Sequence, residues 1–135
     1  MSPTKVLSGL LLMLFLLSFQ GCEKTENIGT GILKGKISIG PICPVERDPP
    51  DPGCLPTAET YKAYPVYIRP LNSIKKILIT PAADGSFVME LAPGLYYLTL
   101  DREQGGIGSS NLPMTAGINA GLETELSISI DTGIR

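Results

Sequence analysis

Few residues in this chain have chemistry to offer. Cys22, Cys43 and Cys54 could do thiol chemistry, and Glu46, Asp48 and Asp51 could ligate a hard cation. The chain has no His, which removes the commonest general base and the commonest zinc ligand. Ser109, Ser110 and Thr115 therefore have no imidazole to activate them, and no Ser-x-x-Lys motif takes its place. The acidic triplet lacks the glycine-spaced layout of a calcium loop and has Arg47 inside it, so a solvated loop outweighs a metal site. Ten residues separate Cys43 from Cys54, which excludes a redox CxxC pair. The residues read as those of a non-enzyme without metal or cofactor.

Aromatic side chains offer a second kind of chemistry. Tyr61, Tyr64, Tyr67, Tyr96 and Tyr97 could stack on a sugar, and alternation turns Tyr67 and Tyr97 away from the expected core. Trp, the strongest stacking residue, is absent. Carbohydrate binding through Tyr67 and Tyr97 is thus an alternative to a protein-interaction role, and a purely structural envelope domain is another.

The N-terminus reads as an address. Lys5 precedes an apolar run over 6–19, shorter than the ~20 residues that a membrane-spanning helix needs and suited to a secretory signal. The run ends in Phe19-Gln20-Gly21-Cys22, which resembles the lipobox of bacterial lipoproteins. That resemblance implies removal of residues 1–21, a diacylglyceryl thioether on Cys22 and acylation of the new N-terminus. Two or three acyl chains hold a protein stably on a membrane where one does not. Residues 22–30 are polar and form a lipidated tether; Glu23, where an Asp would signal inner-membrane retention, favours the outer membrane if the source is Gram-negative. The expected location is the cell envelope, facing the periplasm or exterior. With Cys22 taken by lipid, Cys43 and Cys54 remain as a pair, and an exported pair reads as a disulfide.

These residues must be held by short strands. The 135 residues suit one domain, and a formal charge of −2 carries no basic footprint for nucleic acid. Period-2 alternation predicts strands over 31–39, 66–69, 74–80, 87–91, 96–100, 114–118 and 126–130, with Ile77 and Ile79 inward in the third. Asp84-Gly85 reads as a hairpin turn. Six of the twelve prolines fall within 41–56, making that segment a stiff loop. The expectation is an all-β, seven-stranded antiparallel sandwich over 31–135.

Four segments occur together: Gly31-Ile32-Leu33-Lys34-Gly35-Lys36-Ile37, Asp84-Gly85-Ser86-Phe87, Leu91-Ala92-Pro93-Gly94-Leu95-Tyr96, and the closing alternation. Together they resemble the carboxypeptidase-regulatory-like, prealbumin-type Greek-key β-sandwich domains, and the cysteine loop resembles an uncharacterised exported bacterial subgroup of them. The resemblance implies an accessory module rather than an enzyme. Some relatives carry a Lys–Asn/Asp isopeptide between first and last strands, promoted by an acid; here Lys34 or Lys36 would join Asp131, with Glu123 or Glu125 as the helping acid, but alternation puts both lysines on the solvated face. The loop bearing Cys43, Glu46, Arg47 and Cys54 is the most distinctive surface, suited either to protein recognition or to tying down a crossover. A lipid-anchored accessory protein with an envelope protein or glycan partner is the expected function.

Overall fold

The computed structural model describes residues 29–45, 47–101 and 110–134; the expected signal segment, Cys22 and Glu46 lie outside them. Alternating apolar side chains build β1 (Gly31–Gly40), β2 (Val66–Pro70), β3 (Ile77–Leu78), β4 (Ser86–Leu91), β5 (Gly94–Leu100), β6 (Met114–Ile118) and β7 (Glu123–Asp131). They form two sheets, one ordered β4-β1-β7 and the other β3-β2-β5-β6. Leu33, Val66, Ile68, Leu98, Ile128 and Ile130 fill the space between the sheets with almost no exposure, so the fold is a sandwich. Among the described residues, no buried side-chain polar atom lacks a hydrogen-bond partner.

The count of seven strands agrees with the sequence, but the pairing is mixed rather than wholly antiparallel. β1 and β7 run parallel, in register from Ile32–Glu123 to Gly40–Asp131, while every other pair is antiparallel. Parity explains this. Each connection reverses the chain, so the first and seventh strands point the same way and must pair parallel once they are neighbours. Nor is the Asp84-Gly85 turn a hairpin, because β3 and β4 belong to different sheets. Gly85 takes φ +85° and its carbonyl accepts from the Ile37 amide at 2.8 Å, so the turn docks against β1 as it crosses. Pro93-Gly94 likewise carries the chain from one sheet to the other.

The third strand is much shorter than the expected 74–80. Ile79 is buried, but Ile77 is exposed and only Ile77–Leu78 pair with β2. Residues 71–76 are instead held as a turn, with Ser73 O taking the Arg69 guanidinium at 3.0 Å and Ser73 Oγ taking the Lys75 amide. A helix, α1 (Ala58–Ala63), follows the stiff loop. Thr57 caps it reciprocally with Thr60, and Glu59 pairs with Lys62 at 2.7 Å. Its Tyr61 and Tyr64 pack on the core from one side.

β1 sits at the centre of its sheet, and Gly35 is what lets it close up there. A Cβ at Gly35 would stand 2.2 Å from Leu126 O and 2.9 Å from the Phe87 ring. We expect Gly35→Ala to lower unfolding free energy by about 1–3 kcal/mol, read from urea denaturation. Wild-type stability in that variant would mean that β1 and β7 do not approach this closely.

Candidate functional site

The loop that leaves β1 is organised by a covalent tie and local caps. Cys43 and Cys54 form a disulfide with Cα atoms 5.4 Å apart. Asp51 caps a 3-10 turn at Pro52–Cys54, accepting from the Gly53 amide at 2.8 Å. Where the loop leaves β1, Thr132 is buried and donates its hydroxyl to Pro41 O, while its amide bonds Gly40 O. An open cleft of about 270 Å³ results, lined among others by Ile39, Ile42, Arg47, Asp51, Leu55 and Pro56. It is an apolar floor with one guanidinium and one carboxylate beside it. Glu46 lies outside the described residues, so Arg47 is the expected binding residue that can be placed, and it lines this cleft.

Of the acidic cluster, Asp48 and Asp51 are described and Glu46 is not. Among the described residues, no group of three His, Cys, Asp or Glu side chains is arranged to hold a metal ion. The Asp51 carboxylate serves its own turn.

Tyr67 and Tyr97 do lie on the outer face of their sheet, half-buried, on diagonally related positions of β2 and β5. Each ring is covered by a cation. The Arg69 guanidinium sits 5.0 Å from the Tyr97 centroid and is fixed by Ser73 O. The Lys76 ammonium sits 5.5 Å from the Tyr67 centroid and pairs with Asp101 at 3.1 Å. A sugar stacking on those ring faces would have to displace cations already held at both ends. Of the other tyrosines, Tyr64 and Tyr96 turn toward the core, where the Tyr96 hydroxyl donates to Ala92 O, while Tyr61, also packed on the core, lines an open cleft of about 300 Å³ with Tyr67.

The amide-forming lysines are equally accounted for. Asp131 pairs with Gly40, six residues along β7's partner from Lys34 and four from Lys36, or about 20 Å and 13 Å. Lys34 instead pairs with Glu123 at 2.6 Å on the outer face. That hydrogen bond and charge hold its ammonium above the ordinary 10.5, so it stays protonated and non-nucleophilic. Ser110 exchanges hydrogen bonds with Leu112, a turn role, and Ser109 lies outside the described residues.

The other two shifted groups also move away from neutrality. Burial, followed by the Asp84 charge, raises the Tyr61 hydroxyl above 10.0. The Ser86 hydroxyl, then the Ser86 amide, and more weakly Lys36, hold the Asp84 carboxyl below 3.8. A general acid or base works best near the operating pH, and all three groups are driven the other way. What the sequence could not show is the cleft itself, because it depends on how the loop folds back across the end of β1.

Those features divide the molecule into two ends. Gly29 and Thr30 lead into β1 at a basal end, where Thr30 O takes the Gly121 amide and Gly31 pairs with Leu91. The disulfide loop leaves β1 at the other end, ten residues or about 30 Å away. Among the described residues, no helix is long and apolar enough to cross a membrane.

No family model matches the chain, and no curated protein matches it. Solved structures do resemble it. A DUF3823 family protein from Parabacteroides merdae is 19% identical, with a TM-score of 0.46 over 77% of this chain and 47% of that one. The TIE protein of Bacillus anthracis is 12% identical, with a TM-score of 0.49 over 77% and 17%. GBS52, the minor pilin of Streptococcus agalactiae, is 13% identical, with a TM-score of 0.48 over 77% and 45%. The chain spans less than half the length of each.

Two outcomes test this geometry. Replacing Cys43 and Cys54 together by Ala should cost about 3 kcal/mol at most, less any strain released, in chemical denaturation. No change would mean that the bridge does not constrain the loop. In Ser86→Ala the Asp84 carboxyl should titrate closer to 3.8 by NMR. A depressed carboxyl stabilises the fold above its unfolded pKa and loses that contribution as pH falls through the folded value. The variant should therefore be less resistant to acid, and an unmoved Asp84 titration would refute the assignment.

Proposed function

We propose that this chain is a lipid-anchored, non-catalytic cell-envelope protein that presents its disulfide loop to a protein partner. Cys22 bears the lipid, 22–30 is the tether, and the rest is a prealbumin-type, carboxypeptidase-regulatory-like sandwich acting as a spacer. The observation that carries the reading is the separation of the two ends: the chain enters at one, and the proline-rich, disulfide-tied loop with its cleft lies at the other. A loop already stiffened by six prolines and a bridge loses little further entropy on binding. The covered rings of Tyr67 and Tyr97 weigh against the glycan-binding alternative. With a Gram-negative source, Glu23 favours the outer membrane.

The first test is the intact mass of the protein extracted from its native membrane, with and without reductant. Residues 22–135 plus diacylglyceryl and acyl groups, gaining two hydrogens on reduction, is the expected result. An unlipidated mass would remove the anchor. The second is a photo-crosslinking residue at Leu55, compared in the wild-type loop and in a chain whose residues 44–53 are replaced by Gly and Ser. A crosslinked band that persists in the replaced loop would remove the recognition role.

A further inference from the structure

The basal end carries an apolar surface that the sandwich itself does not use. Leu71, Leu95, Ile32 and Leu122 are exposed there, Leu95 at 61% and Leu122 at 59%, while Val88, opposite Lys34 further along the sheet, and Ile74, in the segment after β2, are exposed at 72% and 96%. The grouping of the first four follows from the pairing. Leu71 donates its amide to Leu95 O at the start of β5, and Ile32 donates its amide to Leu122 O beside the start of β7. A Cβ on Gly31 would touch the Ile118 side chain and Asn119 O, so the ends of β1 and β6 abut. Two open depressions flank this junction, one of about 290 Å³ beside Leu71, Pro93 and Leu95, the other of about 460 Å³ beside Ile32, Val88 and Leu122.

Lys34 pairs with Glu123, Glu90 accepts the Thr30 hydroxyl, and Arg69 is held on Pro70 O and Ser73 O. Glu90 and Glu123 line the larger depression and Glu125 stands opposite Lys34, so carboxylates outnumber the one ammonium on that side. The N-terminal residues outside the described ones join the molecule at this same end. From Cys22 to Gly29 is seven residues, at most about 25 Å when extended. A lipid at Cys22 would therefore hold this end within about 25 Å of the bilayer surface.

We propose that the basal end, through Leu71, Leu95, Ile32 and Leu122 with Ile74 and Val88 joining them, seats on the headgroup region of the membrane to which Cys22 is anchored. This rests on the lipid anchor of the proposed function and adds to it a fixed orientation. Exposed leucine and isoleucine side chains partition into the interface, while the acyl chains supply the attachment itself. The seat thus sets direction rather than affinity.

The test uses the full lipidated protein in phosphatidylcholine vesicles, labelled with a polarity-sensitive NBD fluorophore at Leu95→Cys, Leu122→Cys or Ala63→Cys. Flotation reports the anchor, and quenching by headgroup-proximal spin-labelled lipid reports the seat. We expect all three proteins to float, with strong quenching at 95 and 122 and little at 63. Adding Leu71→Glu and Ile74→Glu to the position-95 protein should abolish most of that quenching and leave flotation unchanged. Failure to float would overturn the anchor and the seat together. Flotation with equal quenching at all positions would overturn the seat alone. A label at 95 that is shielded, unquenched by lipid and dependent on protein density would assign the surface to a second copy, which also overturns the proposal.

Discussion

The parallel ladder between β1 and β7 is the constraint on which the rest of this molecule depends. β1 is flanked on both sides, by β4 and by β7, and it is the longest strand described. The ladder runs for nine paired residues and ends where Thr132, just past β7, bonds Gly40 and Pro41 and so fixes the start of the disulfide loop. At its other end, the Ile32 amide on Leu122 O secures the point where the chain enters. One strand pair therefore positions both ends of the protein. Gly35 is the local condition for it, since any side chain there would press on Leu126 O and Phe87.

Several polar groups on this frame serve their own turns and caps. The caps of the 3-10 turn, α1 and the Asp84 turn are satisfied by their own neighbours. Asn111 closes part of the open edge of β7, donating to Ser127 O, accepting from the Ser129 amide and bonding Ser129 O through its own amide. An edge strand that is covered in this way offers fewer free groups for pairing with another chain. Among the described residues, Lys34, Tyr61 and Asp84 are each pushed further into the state they already hold near neutrality.

Much of this was legible because period-2 alternation maps directly onto faces of a sheet. Leu33, Ile37 and Ile39, Phe87 and Leu91, and Ile128 and Ile130 are buried as their spacing implied. Tyr67 and Tyr97 also face outward, but spacing says nothing of the cations that cover them, because Lys76 arrives from a turn and Arg69 from the strand across. Turn chemistry was the less reliable guide. Asp-Gly announces a tight reversal, yet whether the next strand joins the same sheet depends on what the turn docks against, here the Ile37 amide. The parallel β1–β7 pair is a matter of topology, invisible in local sequence. Helix α1 had its signals in Thr57, Glu59 and Lys62, but six residues are too few to show a helical period.

The same rigid frame makes direction a physical variable. A tether of about 25 Å on an unseated domain would let the loop sweep every direction, including back toward the bilayer. A sandwich seated by its basal end would hold the loop about 30 Å from the surface, at the far end of β1. The difference lies in the orientational entropy a partner must remove on binding, which the seat removes beforehand. Stiffness in the loop would be of little value on a freely tumbling domain, and a fixed orientation of little value with a floppy loop. On the proposed function, the disulfide, the prolines, the β1–β7 ladder and the apolar end would act on one quantity, the spread of positions from which Arg47 and the cleft beside it could meet another molecule.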